Sequence, residues 1–273
     1  MDKESAEVVV TVEGKVCVLR LNRPKMKNAL SLQVYNKFME TLDKVGNDPN
    51  ISIMVVTGTG DYFSSGNEFS MKGFEKLSEN ENESSDSGSE TSFDDQVAKG
   101  NNEFKRFIDK LIDFPKPLIA VVNGPAVGVA VTMLPHFDVV FASDKATFHT
   151  PFVTLALVPE GCSSYLFPMI MGPGMAAQML MFGKKITATE AYQHNFITEV
   201  VPNEKLDDVW TKISNWANLP PNTLVVIKNI IRLHQKETLH EINAKECEVL
   251  GGRFKDPEFF EAIMKFFTRK SKL

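Results

Sequence analysis

The chain has 273 residues, 43% hydrophobic and 24% charged, the proportions of an ordinary globular protein, and its 30 Lys and Arg against 35 Asp and Glu leave a formal net charge of −5. That balance, with no basic stripe, excludes a nucleic-acid-binding surface, and no apolar run is long enough to span a bilayer. Cys17, Cys162 and Cys247 are far apart and odd in number, so they form neither a disulfide framework nor a metal-ligand spacing. A reducing, intracellular setting is expected, since the opening MDKESAEVVV has neither a signal-peptide core nor an Arg-rich transit pattern.

Residues 8–12 and 16–21 are β-rich runs around the turn-forming Glu13-Gly14-Lys15 and predict a hairpin. Ser31 is an N-cap candidate for a helix with Leu32, Tyr35, Phe38, Met39, Leu42 and Val45 on one face, expected to stop near Gly46 with Pro49 beyond. ISIMVVTG, KPLIAVVNG and FDVVFAS are continuous apolar runs, as strands buried on both faces read. Helical stretches after each give the β, α, β, α order of an α/β fold with helices covering a sheet.

Between Ser78 and Glu90, twelve of thirteen residues are Ser, Glu, Asn or Asp, too polar to offset their own ordering entropy. An insertion at about 74–100 is therefore expected to be a mobile loop, either a tolerated surface insertion or a flap near a ligand. After about residue 170 strand signals fade. Thr187 and Glu190 form a capping box, and helices are predicted at 206–217, 223–235, 239–250 and 257–268. The expected division is a core of residues 1–200 and a helical region of residues 201–273, with Phe259, Phe260, Phe266 and Phe267 read as packing residues. The chain finishes TRKSKL. Ser271-Lys272-Leu273 at a C-terminus is a peroxisomal address, the alternative being a frayed basic tail on the last helix.

Two stretches offer backbone donors. VTGTGDYFSSGNEFS places Gly58, Gly60 and then Ser64-Ser65-Gly66-Asn67 after a strand, without G-x-G-x-x-G or a Walker A loop. In VVNGPAVGVAVTML a strand ends at Asn123-Gly124-Pro125, and a small-residue turn through Gly128 and Val129 opens a helix whose free N–H groups suit an oxyanion. Five histidines show no metal-ligand spacing, Ser163 and Ser164 sit in no G-x-S-x-G, and Cys162 reads as a small buried filler. One carboxylate stands out: Glu160 interrupts the apolar run LALVPEGCSSYLF. Pro159-Glu160-Gly161 fits an exposed turn, the favoured role on composition alone, the alternative being a buried acid that is paired or functional.

LNRPKMKNALS, TGTGDYFSSGNEFS, IAVVNGPAVGVAVTML, FHTPF and VPEGCSSYLFP stand in the order and spacing of the crotonase, or enoyl-CoA hydratase/isomerase, superfamily. The chain resembles that superfamily from about Val8 to Leu273, and within it the peroxisomal Δ3,Δ2-enoyl-CoA isomerases most, through PEGCSS and the terminal SKL. The resemblance implies an α/β fold with a spiral of ββα turns, then a helical trimerisation region giving a homotrimer or dimer of trimers. It implies a fatty enoyl-CoA substrate of β-oxidation, no cofactor beyond the CoA carried by that substrate, no metal, and a peroxisomal import receptor as partner of the SKL.

By position, the oxyanion hole would be the N–H groups of Asn67 and Val129. Ser64, Ser65, Gly66, Asn67, Glu68 and Gly128 would line the acyl-CoA site, and Lys25 and Lys265 are candidates for the CoA phosphates. Hydratases of the family use two glutamates, where this chain has Thr132 and Phe152. The isomerases place one glutamate in PEG, which makes Glu160 the implied base of a reaction moving a 3-cis or 3-trans double bond to 2-trans. Two rivals stay open: a non-catalytic acyl-CoA- or partner-binding protein of this fold, and a dienoyl-CoA isomerase, which would need a further acidic residue in the pocket. Related isomerases sometimes carry an N-terminal acyl-CoA-binding domain, which this chain, starting close to the core, is expected to lack.

Overall fold

A computed structural model describes residues 6–68 and 93–270. The acidic, Ser-rich run 78–90 and the Ser271-Lys272-Leu273 tripeptide lie outside the described residues, whereas residues 93–100, expected to belong to the mobile insertion, are helical. β1 (Val8–Glu13) and β2 (Val16–Leu21) form the expected antiparallel hairpin, and α1 (Leu32–Asn47) starts where Ser31 Oγ accepts the Val34 N–H. Leu32 is exposed rather than on the buried face, because the first turn overhangs the core. There follow β3 (Ile53–Gly58), α2 (Phe93–Asp113), β4 (Leu118–Val122), β5 (Ala126–Val127), α3 (Val129–Thr132), β6 (Val139–Ser143), β7 (Thr147–His149), α4 (Ser163–Met171) and α5 (Pro173–Leu180). Then come β8 (Ile186–Thr187), α6 (Ala188–Gln193) with its Thr187–Glu190 capping box, β9 (Glu199–Val201), α7 (Asp208–Ala217), α8 (Pro221–Arg232), α9 (Lys236–Arg253) and α10 (Pro257–Lys270).

The main sheet runs β1-β2-β3-β4-β6-β9, parallel except for the first pair. Its apolar runs are continuous because successive side chains serve opposite faces. Leu19, Leu21, Met54, Val56, Leu118 and Ala120 meet the core beneath α1 and α2. Val16, Val18, Ile53, Val55, Ile119 and Val121 meet Val209 and Ile213 of α7. Three short strands make a second sheet, β5-β7-β8.

Three expectations are corrected. Strand–helix alternation is interrupted, since β4 leads to β5 and a four-residue α3, and β6 leads to β7 before α4, giving the ββα turns that the crotonase resemblance implies. Strands continue past residue 170: β9 is too short to show a period, yet it completes the sheet against β6. The helix predicted over 239–250 runs from 236 to 253 and packs along α2 within the main core, through Leu239 and Cys247.

Buried Lys116 closes the C-terminal end of α1, its Nζ donating to the carbonyls of Val45 (2.6 Å), Asp48 and Ile51 (2.8 Å). Lys116→Met removes three buried hydrogen bonds, while the Val45 and Asp48 carbonyls keep the Asp48 and Ile51 N–H groups as partners, and is expected to lower stability by about 2–3 kcal/mol, read as a lower urea midpoint at unchanged slope.

Candidate active site

Two asparagines fix the loops that frame the site. Buried Asn28 accepts the Arg23 N–H (2.9 Å) through Oδ1 and donates through Nδ2 to the carbonyls of Thr59 (3.0 Å) and Tyr62 (2.7 Å). Asn123 Oδ1 accepts the Gly58 N–H (3.0 Å), and its Nδ2 donates to the Gly60 carbonyl (2.7 Å). The loop after β3 is thus held from both sides, by polar side chains with their hydrogen bonds satisfied.

On that loop, Leu30 pairs with Asn67 as a parallel bridge: Leu30 N–H donates to Gly66 O (2.8 Å) and Glu68 N–H to Leu30 O (3.1 Å). A parallel bridge uses the residues on either side of Asn67, so the N–H of Asn67 itself turns the other way. Gly66 (φ +82°) makes this possible, because a Cβ there would lie 2.5 Å from the Val127 carbonyl oxygen. The two backbones therefore touch, bringing Asn67 beside the start of α3. Gly128 N–H donates to His149 O, whereas Val129 N–H, first in α3, has no helical acceptor. Neither Asn67 N–H nor Val129 N–H has an acceptor among the described residues.

Both residues line a cavity of about 440 Å³. Lys25, Lys27, Ser65 and Glu68 lie along its polar part, while Phe152, Leu155, Leu157, Phe254 and Phe266 supply apolar wall. Gly66 and Gly128 also line it, but Ser64 does not: it is fully buried, and its Oγ accepts the Gly66 N–H (3.1 Å). Lys265 is not part of the lining either, its nearest ion partner being Glu261 at 3.6 Å. Glu68 is engaged by Arg23 through two bonds (2.7 and 3.2 Å), and Arg23 also reaches Glu7 (3.2 Å). Phe266, expected to be purely a packing residue, lines the cavity, while Phe259 and Phe267 pack on Leu155 and Ala156. Arg253 Nε donates to Ala156 O (2.9 Å), tying the elbow between α9 and α10 to the cavity wall.

Glu160 sits in the same lining and is only 5% exposed. No hydrogen bond to its carboxyl is present among the described residues, and the exposed-turn reading therefore does not hold. Gly161 (φ +67°) and Cys162 (φ +65°) turn the chain sharply after it. A Cβ on Gly161 would lie 2.9 Å from Thr132 Oγ1, so the Glu160 turn rests directly on α3. The His136 ring, kept neutral by burial with its pKa pushed down to about 4, donates through Nε2 to Gly161 O (3.0 Å). Burial, then the nearby Glu246, push the Glu160 carboxyl up to about 8. Tyr35, its hydroxyl pushed up by burial and by Glu160, donates to Asn67 Oδ1. Cys162 is buried and its thiol is pushed up by burial, as suits a filler and not a nucleophile.

Sequence reasoning missed Asn28, Tyr35, Asn123, His136, Phe254 and Glu246. A signal was available for the asparagines, which stand beside tight turns. None was available for Glu246, which looks like one more charge in KECEVL.

The sequence pattern of the family described as enoyl-CoA hydratase/isomerase matches residues 11–272. The chain belongs to the enoyl-CoA hydratase/isomerase family. Among its relatives, the Mus musculus protein named enoyl-CoA delta isomerase 3, peroxisomal, is 45% identical over 271 residues, covering 99% of this chain and 81% of that one. Enoyl-CoA delta isomerase 2 of Rattus norvegicus is 45% identical over 272 residues, covering 99% of this chain and 66% of that one, so the chain spans just under two thirds of that relative's length. The family fold is shared with the solved enoyl-CoA hydratase/isomerase from Pseudoalteromonas atlantica T6c, at TM-score 0.83 and 30% identity over 97% of this chain and 98% of that one.

A carboxyl with a raised folded pKa is neutral in both states at pH 4, and costs stability as pH rises from about 4.5, where the unfolded chain ionises, to about 8. Glu160→Gln is therefore expected to match wild type at pH 4 and to exceed it by roughly 2–4 kcal/mol at pH 8, in denaturant titrations at both pH values.

Proposed function

We propose that the chain is an enoyl-CoA delta isomerase that converts 3-cis or 3-trans enoyl-CoA into the 2-trans isomer. One observation carries this reading: among the described residues the buried carboxyl of Glu160 has no hydrogen bond, and it shares a mostly apolar cavity with two backbone N–H groups that have no acceptor. In this mechanism the thioester carbonyl accepts hydrogen bonds from Asn67 and Val129. The C2 proton passes to Glu160, and the resulting dienolate spreads its charge onto the held oxygen. Each donor contributes about 3 kcal/mol of barrier lowering by analogy with acyl-transfer enzymes. Protonated Glu160 then returns the proton to C4, and the double bond ends between C2 and C3. The reaction is a net internal proton shift, so it needs neither a redox cofactor nor a metal.

Hydration would require an acid and a base that both face the substrate. Thr132 and Phe152 stand at the family's two glutamate positions. The other carboxylates nearby are committed, Glu68 to Arg23 and Glu246 to two backbone amides outside the lining. The same commitment disfavours a dienoyl-CoA isomerase. Lys25 and Lys27 suit the CoA phosphates.

Val226, Ile227, Ile230 and Ile231 leave α8 with an exposed apolar face, which supports self-association as a trimer or a dimer of trimers. A peroxisomal location, through an import receptor that binds Ser271-Lys272-Leu273, is supported by that tripeptide and by the relative named peroxisomal.

The test is conversion of a 3-enoyl-CoA followed by chromatography of the 2-trans product. Wild type is expected to turn over, with kcat/KM rising with pH as Glu160 ionises near its raised value of about 8. Glu160→Gln is expected to lose about 10²–10⁴-fold in kcat while still binding acyl-CoA. Wild-type binding without turnover would make the protein a binding module and Glu160 a structural acid.

A further inference from the structure

Glu246, only 7% exposed, has no part in the proton transfers above. It projects from α9, in the C-terminal helical region, to the turn that carries Glu160. Its Oε2 accepts the Cys162 N–H (2.6 Å) and its Oε1 the Ser164 N–H (2.9 Å). These amides open α4, whose own N-cap residue, Cys162, supplies no side-chain cap. A helix start normally capped from within its own sequence is here capped by a carboxylate from a distant helix.

The capped turn is itself strained. Two successive residues after Glu160 have positive φ, and one of them, Cys162, is not glycine. The turn is held at its carbonyl by His136, from below by Thr132, and at its amides by Glu246. We propose that Glu246 is a positioning residue for Glu160, clamping the Glu160-Gly161-Cys162 turn onto the start of α4 so that the Glu160 carboxyl stays at the cavity wall. This role rests on the isomerase reading.

The same contact gives Glu246 a second lever, because a carboxylate beside a carboxyl favours the protonated form of its neighbour. The other groups facing this pocket do not offset it. Tyr35 from α1 and Cys247 from α9 are pushed up by burial, and His136 is pushed down to about 4, so all three are neutral near pH 7. Lys105 and Asp109 of α2 are paired with each other at 2.6 Å. Burial also raises the proton affinity of Glu246, against the Ser164 hydroxyl and the Ser164 and Cys162 N–H donors that favour its ionised form.

The experiment is a carboxyl-carbon NMR titration of Glu160 in the full chain labelled at glutamate, run on wild type, Glu246→Gln and Glu246→Asp, with kcat and KM for a 3-enoyl-CoA measured in parallel. Glu246→Gln removes the charge and one acceptor at constant volume. It is expected to lower the Glu160 midpoint by about one pH unit or more and kcat by about tenfold or more, with KM within about threefold. Glu246→Asp keeps the charge but draws it back by one methylene. It is expected to keep the high midpoint and still lose kcat.

An unchanged Glu160 midpoint in a folded Glu246→Gln protein overturns the proposal, as does wild-type kcat in Glu246→Asp. If Glu246→Gln does not fold, the Glu246→Asp result decides alone. If wild type shows no turnover while the Glu160 midpoint still falls in Glu246→Gln, the isomerase reading fails, the catalytic role of the clamp falls with it, and only the electrostatic coupling of Glu246 to Glu160 stands.

Discussion

Burying a carboxyl without a hydrogen-bond partner costs free energy at every pH above its ordinary range, and Glu160 has none among the described residues. The fold tolerates it by fixing everything around it. The turn after it is held by a neutral histidine, by the Thr132 side chain packed beneath Gly161, and by a carboxylate from another helix. None of these donates a hydrogen bond to the Glu160 carboxyl itself. The result is an acid whose oxygens remain uncommitted and whose proton affinity is set by burial, the condition under which a carboxyl exchanges protons with carbon near neutral pH.

The opposite wall is built by a different device. Two glycine turns bring the chain after β3 against the start of α3, so closely that a single added methyl group would strike a carbonyl. Asn67 and Val129 thereby present N–H groups that a regular ladder or helix would have consumed. Tyr35 links the walls, bonding the Asn67 side chain while facing Glu160. The C-terminal helices belong to this arrangement as much as the sheet does: α9 supplies Glu246, and the α9–α10 elbow supplies Phe254 and closes the apolar end.

Much of this was legible in the sequence wherever the signal was local. The hairpin, the Ser31 cap, the buried strands and the Thr187–Glu190 box each depend on residues a few positions apart, and each appears where expected. Glu160 stood out because a charge inside an apolar run is visible without any fold. What was not legible depends on distance in the chain. Glu246 becomes exceptional only when α9 meets α4, and Phe266 lines the cavity only because α10 folds back over residues 153–155. Ser64 braces the backbone behind the wall, a role that motif spacing cannot tell from that of a side chain facing a ligand. β9 escaped because three residues carry no period.

The account rests on one carboxyl moving one proton between two carbons. Its most direct test is a single-turnover reaction in ordinary water with a 3-enoyl-CoA carrying deuterium at C2, followed by mass and NMR analysis of the product. Because Glu160 is buried in the cavity wall, where water reaches it poorly, a measurable fraction of the abstracted label is expected to reappear at C4. Product with only solvent hydrogen at C4 even at the shortest times, together with wild-type turnover by Glu160→Gln, would contradict proton transfer by Glu160.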